Sequence, residues 1–205
     1  MITTERRYTL VDLPSLPDDD RIYDILGGKL SEHNAPDDNH AELLTELIDF
    51  LITAQHAGYG RVYTSSRAVA LDYPARGDAA EDVTHPDLFF VRRGREHLRG
   101  RRALEGVPDL VIEILSPSTR EEHAPGGELW KAYERNGLPH YWVVDPARRT
   151  ISQFVLTGEA YLGGRYAEPT ILQGSDLLTC SLFPGLSVRL SRVFRDVVDY
   201  GRSQL

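Results

Sequence analysis

Two carboxylates stand inside apolar runs: Asp87 in Thr84-His85-Pro86-Asp87-Leu88-Phe89-Phe90-Val91, and Glu113 in Pro108-Asp109-Leu110-Val111-Ile112-Glu113-Ile114-Leu115. Both runs open on Pro-Asp-Leu and continue with β-branched and aromatic residues that suit a buried strand. Side chains alternate with period two along a strand. Asp109, Val111, Glu113 and Leu115 therefore share one face, and Leu110, Ile112 and Ile114 the other. An ionised carboxylate withdrawn from water costs roughly several kcal/mol or more unless it is paired or binds a cation. If the two strands are neighbours, Asp87 and Glu113 converge on one divalent cation and leave room for a phosphate. Two carboxyls sharing such a pocket should both have raised pKa values without the metal. Asp109, directly after Pro108, reads most simply as a turn residue at a strand entrance.

The basic stretch 92–102, Arg92-Arg93-Gly94-Arg95-Glu96-His97-Leu98-Arg99-Gly100-Arg101-Arg102, runs between the two acids. Arginine suits bidentate phosphate contact, so Arg92, Arg93, Arg95 and Arg99 are candidate DNA-backbone contacts beside the cation. As a bare charge run, the same stretch is a solvated connection. His40 precedes Leu43 and Leu44 on the inward face of a helix, where a histidine is more often packed than catalytic.

The elements that must position these groups follow an α+β order. The 205 residues, 41% of them hydrophobic, fit one domain over 1–205 whose segment 1–20 is loop-like. Residues 21–30 read as a strand pair around Gly27-Gly28. Asp37, Asp38 and Asn39 offer N-caps to a helix running to Gly58, with Leu43, Leu44, Leu47, Ile48 and Leu51 as its apolar stripe. Residues 61–72 read as one strand, 78–82 as an acidic loop, and 128–136 as a short helix stopped by Gly137. Strands at 140–145 and 150–156 flank a turn, and short strands fill the C-terminal third. The single cysteine, Cys180, excludes an internal disulfide framework. With no apolar h-region at the start and no apolar stretch long enough for a bilayer, a cytoplasmic protein without membrane contact is expected. A net charge of -8 works against non-specific attraction to nucleic acid, so any DNA contact must be local.

Several strings recur in order: Tyr23-Asp24-Ile25-Leu26-Gly27-Gly28-Lys29-Leu30, His40 opening a helix, Pro86-Asp87-Leu88, the run from Pro108 to Thr119 with Glu113-Ile114-Leu115-Ser116-Pro117-Ser118, Tyr133 with Gly137, and Tyr141-Trp142-Val143-Val144-Asp145-Pro146. In these the chain resembles, over nearly its whole length, the Uma-two family of restriction-endonuclease-like proteins in the PD-(D/E)xK nuclease superfamily. The resemblance implies a mixed β-sheet flanked by helices, DNA cutting with magnesium (or manganese), and a homodimer. It puts Asp87 and Glu113 in the places of the two metal-binding acids and His40 in that of the helix residue near the site.

The departures from the family pattern concern the lysine. The position two after the glutamate is Leu115. The family's other position, four before the tyrosine matching Tyr133, is Leu129. Lys131 is the remaining candidate for the catalytic cation. Two helix steps turn it by about 200°, so it should point away from where Leu129 points. It reaches the site only along its stem, or if the segment 121–127, two residues longer than the family pattern, shifts the helix register. Otherwise it is a solvated helix lysine, with His123 a lower-ranked substitute. The expected function is metal-dependent hydrolysis of DNA phosphodiesters. The alternative is a non-catalytic nucleic-acid-binding or regulatory relative that lacks the family lysine. A metal-free structural protein would require Asp87 and Glu113 to lie far apart.

Overall fold

The Gly27-Gly28 pair turns the chain between β1 (Ile22–Leu26) and β2 (Lys29–His33), both glycines holding the positive φ (58° and 78°) that a two-residue hairpin needs. The fold is that of a computed structural model, which describes residues 6–17, 19, 21–33, 38–116, 119–158 and 164–198. Within the stretch read as loop-like, Leu10–Ser15 forms a 3-10 helix with Leu10 buried. The long helix α1 (Asp38–His56) buries Leu43, Leu47, Phe50, Leu51 and Ala54, while Leu44 and Ile48 of the expected stripe sit partly buried at its margin. Asp37 and Pro117 lie outside the described residues.

The expected single strand over 61–72 is two strands in different sheets: β3 (Gly60–Thr64) and β4 (Ala68–Ala70). Between them the Arg67 N–H donates to the Thr64 carbonyl (3.1 Å), and the Thr64 and Ser66 hydroxyls bond at 3.0 Å. These hydroxyl contacts favour a turn over ladder pairing.

Among the described residues, one sheet joins β1, β2 and β4 with β5 (Val83–Thr84) and β7 (Ala103–Glu105) in the order β2-β1-β5-β4-β7. The other joins β3 with β6 (Leu88–Arg92), β8 (Leu110–Ile114), β9 (His140–Asp145), β10 (Thr150–Thr157) and β11 (Arg165–Tyr166) in the order β11-β10-β9-β8-β6-β3, with β12 (Thr170–Gln173) also on β10. β8 runs antiparallel to β6 and parallel to β9, so the sheet is mixed. A small hairpin pairs β13 (Leu177–Thr179) with β14 (Ser187–Arg189).

Helices cover both faces of the central strand. Leu110, Ile112 and Ile114 pack with α1 and with α5 (Leu190–Val193), whereas Val111 packs with Leu129 and Tyr133 of α4 (Glu128–Arg135). The period-two reading of β8 therefore holds, and Glu113 lies on the α4 face. Two short helices, α2 (Tyr73–Arg76) and α3 (Arg120–His123), sit in connections. Asn136 caps α4 and Gly137 (φ 78°) ends it. No helix among the described residues is long and apolar enough to cross a membrane.

Candidate active site

The two sheets meet at one end because the chain passes from β5 through His85-Pro86-Asp87 into β6, and from β3 into β4. β6 and β8 pair with Leu88 opposite Ile112, so Asp87 comes opposite Glu113 at this shared end. Their polar groups interlock. The Ile114 N–H donates to Asp87 Oδ2 (2.7 Å) and the Asp87 N–H donates to Glu113 Oε2 (3.2 Å). His40 Nε2, from the first turn of α1, lies 2.9 Å from Asp87 Oδ1. The buried Tyr133 hydroxyl on α4 donates to Glu113 Oε1 (2.6 Å).

No lysine or arginine among the described residues pairs with either carboxyl. Glu113 is 5% exposed, and burial first, then the facing Asp87, hold its carboxyl well above the usual carboxylate range. Burial and Glu113 also keep the Tyr133 phenol well above its ordinary value, so it remains a donor. For Glu113 this is the expected direction.

Sequence reading missed a second pair beside the first. Asp24 on β1 is buried and accepts from the His85 N–H (2.8 Å), and His85 Nδ1 lies 3.1 Å from the same oxygen. The signal was present in Tyr23-Asp24 and His85-Pro86-Asp87, but only the β1–β5 pairing, with Ile25 opposite Val83, brings them together. His123 is also buried, with Nδ1 2.8 Å from the Tyr141 hydroxyl.

Three expectations are corrected by the packing. Lys131 stands outside the site: its ammonium bonds to Glu128 (3.0 Å) on a half-exposed surface, while Leu129, 2% exposed, occupies the inner face of α4 one turn before Tyr133. The helix is in the register that points Lys131 outward. Asp109 is not a plain turn residue. It is 1% exposed and accepts from the Arg92 N–H (2.8 Å), Arg92 Nε (2.7 Å) and Arg95 Nη1 (2.9 Å). Consequently Arg92 and Arg95 do not flank the carboxylates. β6 runs from Leu88, next to Asp87, to Arg92, so these arginines and the adjoining Arg93 lie at the opposite end of the strand, about 17 Å from Asp87 at ~3.4 Å per residue. Arg99 is exposed and faces Leu104 in an isolated bridge.

As a cation site the end of β6 and β8 offers two hard oxygen donors. Among the described residues no group of three or more His, Cys, Asp or Glu side chains could hold a metal ion. Magnesium characteristically takes one or two carboxylates and keeps several waters, or binds substrate phosphate. The donor set fits that use, and a divalent cation held there would relieve the burial and repulsion that raise the Glu113 carboxyl.

The Uma2 family, described as "putative restriction endonuclease", matches residues 9–191. Among solved structures, the chain is similar to a "putative nuclease belonging to DUF820" from Anabaena variabilis, with a TM-score of 0.70 and 17% identity over 93% of this chain and 99% of that one. At that identity the likeness shows the fold, a mixed sheet flanked by helices. No curated protein matches the chain.

Proposed function

Because the chain belongs to the Uma2 family of putative restriction endonucleases, we propose that it is a slow metal-dependent endonuclease that hydrolyses DNA phosphodiester bonds at Asp87 and Glu113. The observation that carries this reading is the interlocked carboxyl pair at the ends of β6 and β8, which no lysine or arginine among the described residues neutralises. Asp87 and Glu113 would hold magnesium or manganese, which when bound there polarises a phosphate and lowers the pKa of a water. The protein's own groups fix the ligands. Tyr133 holds Glu113 in one rotamer, His40 and the Ile114 amide hold Asp87, and the buried Asp24 orients His85 at the rim.

The missing cation sets the rate. A transition-state charge left without one preorganised partner typically costs about 10²- to 10³-fold, and Leu129 fills the place one turn before Tyr133 from which a lysine would reach in. The same observation favours a second reading, a nucleic-acid-binding relative that does not cut.

A plasmid-nicking assay with Mg²⁺ or Mn²⁺ separates the two. The expected result is slow nicking by the parent, none by Asp87→Ala, unchanged nicking by Lys131→Ala, and faster nicking by Leu129→Lys if that variant folds. Nicking that survives Asp87→Ala overturns the site. Metal and DNA binding without nicking, in both the parent and Leu129→Lys, favours the second reading.

A further inference from the structure

The basic stretch divides between two parts of the fold: Arg92 and Arg95 bond to Asp109, and its last part leads into β7. Extending the strand register by one pair places His85 opposite Ala68, and Ala68 is opposite Ala103 of β7. Two strand spacings of ~4.8 Å put Ala103 about 10 Å across the sheet from His85. In the other sheet Thr64 faces Leu88, so Ser65 comes beside Asp87. A continuous rim therefore runs from Asp87 across the 65–67 turn to the start of β7.

The rim ends in a built turn. The Gly100 N–H donates to the Ala103 carbonyl (3.1 Å), and one Arg67 guanidinium nitrogen donates to both the Gly100 and the Ala103 carbonyls. The Glu105 side chain packs against Gly100, where an added Cβ would meet its Oε1 at 1.8 Å and displace it. The two residues at the tip, Arg101 and Arg102, are both exposed. Arg102 has one weak surface partner, Asp78 at 3.4 Å with both side chains about half exposed or more. Such a pair contributes little and exchanges readily for a phosphate. Arg101 forms no ion pair among the described residues. Arg92 and Arg95, by contrast, are held on Asp109 at the far end.

We propose that the 100–103 turn, stapled by Arg67, is the clamp by which Arg101 and Arg102 grip the DNA backbone beside the carboxylates. The proposal rests on the nucleic-acid reading above and names the contact which that reading lacks. On a chain of net charge -8, a polyanion needs a local cationic hold.

The test measures equilibrium binding of a fluorescent DNA duplex in EDTA, where no cleavage intervenes, over a salt series. Arg101→Ser/Arg102→Ser should weaken binding about tenfold or more at low salt and reduce the slope of log K against log salt by about 1.8, at ~0.9 per lost phosphate contact. Its melting temperature should match the parent's, since both side chains are exposed. If the double variant binds as the parent does, or if Arg93→Ala carries the loss instead, the clamp is overturned while the nucleic-acid reading stands. If the parent binds no DNA, or binds only RNA, both fail.

Discussion

The tripeptide Pro-Asp-Leu occurs twice, at 86–88 and 108–110, and the antiparallel pairing of β6 with β8 sends its two aspartates to opposite ends of the sheet. Asp109 receives three nitrogen donors from Arg92 and Arg95 and is nearly inaccessible. Asp87 receives a histidine and one amide, and it faces Glu113. The same local sequence thus makes a strut neutralised by arginines at one end and, at the other, a carboxyl pair that no lysine or arginine among the described residues reaches. What differs is whether the connection alongside delivers arginines. Buried acids with their cation supplied hold the fold, whereas buried acids without one mark where the molecule spends stability for a site.

The sharpest way to break this contrast is Asp87→Ala. Manganese binding by calorimetry should weaken by about 100-fold or more, beyond the ~10- to 100-fold typical of outer partners, with no fall in melting temperature. Unchanged affinity would dissolve the distinction between the ends. The converse variant, Asp109→Ala, should keep the metal affinity and lose about 2–3 kcal/mol, below the usual cost of breaking a buried pair because Arg92 and Arg95 rehydrate. At this chain length that is roughly 5–10 °C in Tm; an unmoved Tm would mean Asp109 is no strut.

Glu113→Gln in EDTA should raise Tm by roughly 2–4 °C near pH 8, about 1 kcal/mol. The folded chain holds the Glu113 proton more tightly than the unfolded one. Its contribution is therefore full below the unfolded value of 4.5 and is lost as pH rises through the higher folded value. The parent should lose stability with rising pH across that window and the variant less so; parallel pH profiles would argue against a strained Glu113. The smallest effect belongs to Tyr133→Phe, which removes one donor from Glu113 and should weaken manganese binding by about tenfold. A loss as large as that of Asp87→Ala would make Tyr133 more than a support.

Much of this was legible locally. Alternation along β8 aimed Glu113 at the α4 face, the repeated strand entrance exposed Asp87, and the apolar stripe of α1 put His40 inward. The readings that failed depended on partners far along the chain. Asp24 meets His85 across 61 residues, and Asp109 meets Arg92 across 17. The break of 61–72 is a change of sheet at Ser65-Ser66-Arg67 that the residue pattern of 61–72 does not register. The arginine run looked like one patch since spacing along the chain says nothing about which end of a strand a loop leaves from.

Helix α4 is fastened at several points. Arg135 and Asn136 both bond to Asp82, which also takes the Gly27 N–H, and Glu134 accepts from Arg165 and the Tyr166 N–H. A slip of one residue would move these groups by ~1.5 Å and 100° and break all the anchors together. A change of length in the 121–127 segment would therefore be taken up upstream, in α3 and the turn where the Gly127 N–H donates to the Ala124 carbonyl, and not transmitted into α4. In evolutionary terms this fastening makes loop-length change a silent route, so a lysine would reach the inner face of α4 by substitution at one position there and not by insertion or deletion ahead of the helix.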